Sequence, residues 1–350
     1  MADGAKVRFG LVGAGQIGRA YALAVSACES TELVAVADSR PAAARDAAAL
    51  AGCKAVTDYR ALAAPEQLDA VLICTPPASH AEISTYFLDR GVNVLCEKPL
   101  SIRVDDALAM LEAARRNRVI LTMASKFRYV DDVIRARGMV ASGIIGDVVL
   151  FENAFTSRVD MAAKWNSDPT VSGGGVLIDN GTHSVDIMRY FLGALADVQV
   201  VEGKRTQGLT VEDTVRIFVR STSGVMGSID LSWSINKEQD QYISLYGSEG
   251  TVHVGWRESK YKRLADGDWV VFGTGYDKIR ALAGQLDNFA RAIRGEEPLR
   301  ITAEDALASV EVVAAAYAAL RRSSWTSVGL DLVAPALSQD AAFAQAGSSA

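Results

Sequence analysis

Val7-Arg-Phe-Gly-Leu-Val-Gly13-Ala-Gly15-Gln-Ile-Gly18, with Asp38 twenty residues after its last glycine, is the stretch on which the fold turns. The apolar run Val7–Val12 reads as a strand, and Gln16–Cys28 has helical periodicity. Between them lies GxGxxG. Alone that pattern is weak, since glycine pairs are common in turns. Between a strand and a helix, with Asp38 closing a second strand at Leu33–Ala37, it reads as a dinucleotide-binding turn. Gly13 would make the tight turn, Gly15 would admit a pyrophosphate, and Gly18 would bring helix against strand. Gln16 and Ile17 open the helix, whose N-terminus favours an anion. Asp38 would accept from a ribose hydroxyl, which selects NAD. Ser39 and Arg40 could hold the 2′-phosphate of NADP, but the Asp38 carboxylate would repel it, so NAD is the favoured cofactor.

The alternation continues outward. Pro41–Ala51, Ser79–Leu88 and Val104–Asn117 read as helices, and Ala70–Cys74, Asn93–Cys96 and Val119–Met123 as strands. This order predicts a parallel sheet with helices on both faces. From Val148 the texture changes. Val148–Phe155, Val198–Lys204, Thr214–Arg220, Val225–Trp233, Tyr242–Tyr246, Thr251–Trp256 and Trp269–Phe272 read as strands. Helices are expected at Gly174–Leu192, Tyr276–Arg294 and Thr302–Arg321. Alanine records the change: of 55 alanines, none falls between Ala196 and Ala265. Alanine favours helices and is depleted in strands, so the gap predicts a second sheet.

Composition excludes several classes. The 350 residues are 49% hydrophobic and 22% charged, with a net charge of −6, an ordinary globular balance. Nothing resembles the basic surface of a nucleic-acid binder. No apolar run is long enough to span a bilayer, and no signal peptide is visible at the N-terminus. Cys28, Cys53, Cys74 and Cys96 form no CxxC and read as reduced thiols of a cytoplasmic protein. With only His80, His183 and His253 available, no metal site is expected.

Further motifs are Thr75-Pro76-Pro77-Ala-Ser-His80, Glu97-Lys98-Pro99, Lys126-Phe-Arg128-Tyr, Ser142-Gly-Ile-Ile-Gly146 and Gly173-Gly-Gly-Val-Leu-Ile-Asp179-Asn-Gly-Thr-His183-Ser-Val-Asp186. With the glycine fingerprint, they resemble the Gfo/Idh/MocA oxidoreductases over about residues 6 to 330. That family includes inositol dehydrogenases, glucose–fructose oxidoreductase and sugar keto-reductases. Two departures stand out: Pro77 where the family usually has Asn, and Lys126 near a position usually held by a polar amide. The resemblance implies an α/β Rossmann domain (1–125), then an α+β domain with a large, mostly antiparallel open sheet (126–334), then a flexible tail (335–350). The C-terminal helix could pack back on the first domain. The resemblance further implies a cis peptide before Pro99, and places Thr75, Pro76, Pro77, His80 and Glu97 beside the cofactor.

Oxidising a secondary alcohol needs a hydride acceptor, a proton acceptor and electrostatic support. Asp179 and His183 are i, i+4 on one helical face, and Asp186 follows three residues later. Asp179 could orient the imidazole and favour its protonated form, or bond the substrate itself. The resemblance brings Lys98 to the same centre. His183 is taken as the base and Lys98 as its partner, with the reverse assignment open. Expected substrate contacts are Arg128, Asp160, Trp165, Asn166, Asn180 and Tyr276, with Lys237 or Asp240 further candidates. Acids Asp160, Asp168, Glu238 and Asp240 would tolerate a cationic amino sugar. The function expected is NAD-dependent oxidation of a ring hydroxyl on a sugar, amino sugar or cyclitol, within secondary metabolism. The alternatives are an NADP(H)-dependent keto-sugar reductase and a non-catalytic cofactor-binding sensor. A bare, apolar sheet face would make a homodimer or homotetramer.

Overall fold

The computed structural model describes residues 5–62 and 68–329. The expected tail at 335–350 lies outside the described residues. The first unit runs β1 (Val7–Val12), α1 (Gln16–Ser26), β2 (Thr31–Ala37), α2 (Pro41–Ala51), β3 (Lys54–Val56), β4 (Ala70–Ile73), α3 (His80–Leu88), β5 (Asn93–Glu97), α4 (Val104–Asn117) and β6 (Leu121–Ala124). Its strands form a parallel sheet in the order β3-β2-β1-β4-β5-β6. β1 and β4 are buried almost throughout because helices cover both faces of the sheet, and apolar runs in sequence reported this. Strand order reverses between β1 and β4, which opens a ligand crevice at their C-terminal ends. β3 was not anticipated: three part-exposed residues carry no apolar signal.

The second unit contains α5 (Asp131–Ala141), β7 (Val148–Thr156), α6 (Pro169–Ser172), α7 (Val176–Leu192), β8 (Leu195–Glu202), β9 (Thr214–Ser221), β10 (Met226–Ser232), β11 (Gln241–Gly247), β12 (Gly250–Gly255), β13 (Ser259–Arg263), β14 (Val270–Gly273), α8 (Lys278–Arg294), α9 (Ala303–Arg322) and β15 (Thr326–Ser327). Its sheet is ordered β14-β13-β12-β11-β7-β10-β9-β8-β15, antiparallel except where β7 meets β10. β13 escaped the sequence reading because Ser259-Lys-Tyr-Lys-Arg263 is polar on both faces. α5, α7 and α9 cover one face of this sheet.

The other face is not the apolar patch expected. Arg216 of β9 pairs with Asp230 of β10, and Arg220 of β9 with Asp197 of β8, each directly across the ladder. Val201 and Met226 are exposed among these charges. Alternation places both kinds of residue on the same side, so the face is mixed.

Two C-terminal helices lock the units together. Leu282, Leu286 and Phe289 of α8 join Phe9, Leu11 and Tyr21 in the first unit's core. Tyr21 Oη donates to Gln285 Oε1 at 2.8 Å. α9 packs between α4 and α7.

Arg128, expected to contact substrate, belongs to this framework instead. Its side chain is 4% exposed and its guanidinium meets both carboxylate oxygens of Asp186, at 2.7 and 3.0 Å. It also donates to the Arg300 carbonyl at 3.1 Å and pairs with Asp305 at 3.3 Å. Ser125 Oγ donates to Asp186 Oδ2 at 2.6 Å. Asp186 is therefore spent on α7's anchorage, although it lies three residues beyond His183. Removing one partner of a buried pair leaves the other charge uncompensated. Arg128→Met is expected to lose about 3–5 kcal/mol in urea denaturation, and Arg128→Met with Asp186→Leu to recover much of it.

Candidate active site

A cavity of about 1490 Å³ runs from Asp38 and Arg40, past the glycine turn, to Lys98, Asp179 and His183. It lies along the C-terminal ends of the parallel strands and is closed by the second unit. Gly13 has φ +96°, and a Cβ there would sit 2.6 Å from the Cys74 carbonyl carbon. A Cβ on Gly18 would sit 2.0 Å from the Gly13 carbonyl oxygen, so α1 can pass the turn only with glycine there. Gly15 is different. A Cβ there would meet nothing within 4 Å, and α1 begins at Gly15 with no side-chain cap. Its first N–H groups and the open space above Gly15 form a cradle that fits a pyrophosphate.

Gln16, Ile17, Ser39, Thr75, Pro76 and Pro77 line the same end of the cavity. Asp38 Oδ2 accepts from the Ala14 amide at 2.8 Å, and its Oδ1 from the Arg40 amide at 2.9 Å. The Arg40 side chain folds back on the carboxylate at 3.2 Å. Burial opposes the charge, but bonds from Arg40 and Ala14 outweigh it and hold the carboxyl below its usual range. Asp38 is thus an anionic acceptor at the strand end, and the Arg40 guanidinium is engaged by it. Tyr59 and Arg60 also line this end, in a stretch that carries no motif.

His80 does not line the cavity. It is fully buried, with Nδ1 2.8 Å from the Pro99 carbonyl and Nε2 2.8 Å from the Thr75 carbonyl. It ties the Thr75–Pro77 segment to the Lys98–Pro99 peptide, which is cis, as the resemblance implied. Glu97 is buried at the end of β5 and accepts from the Lys98 amide at 3.0 Å. Burial pushes its carboxyl up, with Lys126 and Lys98 opposing.

At the inner end Lys98 Nζ donates to Asp179 Oδ1 at 2.6 Å and to the Asp179 carbonyl at 3.0 Å. This pair joins the end of β5 to the first turn of α7. Asp179 does not orient His183. The imidazole's Nε2 lies 3.3 Å from Lys126 Nζ, and its buried Nδ1 has no partner. Burial, with Lys126 and Lys98 nearby, holds the His183 pKa well below its ordinary value. The expectation that Asp179 favours the protonated imidazole is therefore corrected: no carboxylate among the described residues touches the ring, and two cations face it.

Trp165, Asn166, Asn180 and Tyr276, expected to contact substrate, line the cavity. Asp160 does not; it is exposed and accepts from the Ala162 amide. Lys237 pairs with Asp230 on the outer face of the second sheet, and the exposed Asp240 stays outside the lining. The sequence reading missed an aromatic wall. Phe127 stacks with Phe155 at 4.9 Å and with Tyr276 at 5.4 Å, and Trp256 meets Tyr242 at 4.5 Å. It also missed Lys278, which enters from the first turn of α8. Only tertiary packing collects these residues, from five separate segments.

A nucleotide cradle leading into a polar, aromatic-walled floor defines an NAD-binding oxidoreductase. Comparison gives the family. Residues 7–125 match the oxidoreductase family with an NAD-binding Rossmann fold, and residues 133–253 match the GFO/IDH/MocA C-terminal domain. The chain is 30% identical to inositol 2-dehydrogenase of Rhizobium meliloti, over 92% of this chain and 99% of the relative. It is 28% identical to the rhizopine catabolism protein MocA of the same species, over 91% and 96%. Among solved structures, GenD2 from gentamicin A biosynthesis, in complex with NAD, is 26% identical over 93% of this chain and 97% of that one, with a TM-score of 0.82. Levoglucosan dehydrogenase with NADH and levoglucosan shares the fold, with a TM-score of 0.85 at 22% identity over 93% and 99%. The chain belongs to the Gfo/Idh/MocA oxidoreductase family.

The glycine geometry separates binding from folding. Gly15→Ala is expected to keep the wild-type melting temperature and lose the thermal shift on adding NAD+, because its methyl enters only the cradle. Gly18→Ala is expected to lower the melting temperature without ligand, at a cost of about 1–3 kcal/mol or more, because its methyl meets backbone.

Proposed function

We propose that this protein oxidises a secondary ring hydroxyl of a neutral sugar or cyclitol to a ketone, using NAD. The observation that carries the reading is the meeting of Lys98, Asp179 and His183 on the floor of the cavity that begins at the glycine cradle. NAD+, when bound, supplies the hydride acceptor. Gly13, Gly15 and the open end of α1 would hold its pyrophosphate, with Gly18 letting α1 pass the turn, and Asp38 would hold its ribose. Lys98 holds Asp179 in place, and Asp179 presents its second oxygen to a substrate hydroxyl. His183, kept neutral by burial, is the proton-accepting side of the site. Trp165, Asn166, Asn180 and Tyr276 supply the apolar face and the directed polar groups that a polyol needs.

Charge narrows the substrate. The acids that suggested a cationic amino sugar, Asp160, Asp168, Glu238 and Asp240, all lie outside the cavity lining, whose floor sets Lys98, Lys126 and Lys278 against Glu97 and the Lys98-paired Asp179. An ammonium group on the substrate would meet three cations and two carboxylates, one of them already paired with Lys98, so the floor favours a neutral polyol. Asp38 with Arg40 already bound to it speaks for NAD over NADP, and so against the NADP(H)-dependent reductase. Lys98, Asp179 and His183 are all retained, which speaks against a sensor without turnover. No helix among the described residues is long and apolar enough to cross a membrane. The outer sheet face is proposed to meet a second copy of the chain, through its exposed Val201 and Met226.

NAD+ is expected to raise the melting temperature more than NADP+, and a panel of myo-inositol, levoglucosan and neutral hexoses to yield NADH at 340 nm with at least one member. On that substrate His183→Ala should lower kcat/KM by about 10²-fold or more while keeping the NAD+ thermal shift. NADP+ preference, or full turnover by His183→Ala, would overturn the reading.

A further inference from the structure

His183 Nε2 has one lone pair when the imidazole is neutral with its proton on Nδ1. Lys126 Nζ lies 3.3 Å from that nitrogen. Lys126 sits in the short turn Lys126–Tyr129, directly after β6, and no carboxylate comes within ion-pair distance of it among the described residues. This differs from Lys98, which spends two donors on Asp179. Its apolar neighbour is the Phe127 ring, 5.0 Å from Nζ. Charged and titratable groups face it from each packed element: Glu97 and Lys98 from the end of β5, Asp179 and His183 from α7, and Lys278 from α8. Burial pushes the ammonium down to about 8, Lys98 and Lys278 push the same way, and Glu97 and Asp179 oppose.

As an ammonium, Lys126 donates to Nε2 and occupies its lone pair. The imidazole then cannot accept from a substrate hydroxyl. As a neutral amine, Lys126 frees Nε2 and becomes an acceptor itself. We infer that Lys126 acts through His183 as the gate and store of the substrate proton, so that the proton acceptor of this site is the His183–Lys126 pair. This rests on the dehydrogenase reading above and assigns a role to a residue outside the Lys98, Asp179 and His183 set.

The step balances. The carbon-bound hydrogen leaves with its electron pair to the nicotinamide, and the carbon–oxygen bond becomes double. The hydroxyl proton passes to His183 Nε2, and from there to Lys126 Nζ. His183 ends neutral, Lys126 ends as an ammonium, and the proton later leaves to solvent. Lys126 acts through the imidazole in this scheme: as an ammonium it blocks Nε2, and as an amine it takes the proton from it.

The pH profile separates this role from a structural one. In the wild type kcat/KM for oxidation of the active panel member should rise with pH through about 8, because the deprotonated amine is the competent form. Lys126→Met removes the gate. His183 then titrates alone, and the rising limb should move from about 8 to below the ordinary histidine value near 6.5, a shift of more than about 1.5 pH units. Lys126→Gln keeps a donor that never titrates, so its rate should be low and show no limb near 8. A limb that stays near 8 in Lys126→Met or in Lys126→Gln overturns the inference.

A second readout needs no substrate. In 15N-histidine-labelled protein without cofactor, the His183 signals, assigned by their loss in His183→Asn, should report Nδ1–H and an unprotonated Nε2 at pH 7. They should titrate near pH 8 in the wild type and lose that titration in Lys126→Gln. An unchanged titration, or a proton on Nε2 at pH 7, overturns the inference. If no panel member yields NADH, the dehydrogenase reading fails, while this measurement still decides the pair.

Discussion

The ion pair between Lys98 and Asp179 is the contact on which the site depends, because it joins a strand end of the parallel sheet to the helix of the second unit. Lys98 follows β5, where the polarity of a parallel sheet delivers every strand's C-terminal end to one crevice. Asp179 lies in the first turn of α7. Their bond at 2.6 Å makes one floor from two units by joining residues 81 apart in sequence. A half-buried pair of this kind gives geometry more than stability, since desolvation offsets much of the Coulomb gain.

The geometry survives because the surrounding polar groups are satisfied elsewhere. Arg128 and Asp186 fix α7 against α9 without entering the cavity. His80 fixes the Thr75 segment against Pro99, also without entering it. Both look like site residues in sequence, since each is polar and lies in a family motif. In the fold each is a brace behind the lining. Burial, with Lys126 and Lys98 nearby, keeps His183 neutral, and the same two lysines with Lys278 disfavour cationic ligands.

Much of the architecture was legible. A GxGxxG between an apolar run and a helix, with an acid closing the next strand, states the first sheet's topology because Gly13 and Gly18 answer local steric demands and Gly15 leaves the cradle open. The alanine gap found most of the second sheet, since helix and strand preferences are also local. Elements without such a signal escaped, as β3 and β13 did: one is too short and the other too polar to show periodicity. The mixed outer face of the second sheet escaped because charge pairing across β8, β9 and β10 depends on register, not on any one strand.

By itself the sequence determined the nucleotide turn and the alternating sheet, and its family motifs grouped Lys98, Asp179 and His183 as candidates. Those follow from steric and chemical requirements that act within a few residues or recur as motifs. Only the tertiary structure decided which partner each polar group takes. It gave Asp179 to Lys98 and not to His183, gave His183 to Lys126, and withdrew Arg128, Asp160 and His80 from the cavity. The reason is physical: a side chain's protonation and its hydrogen bonds are set by burial and by neighbours brought from distant segments, and spacing along the chain carries no record of either.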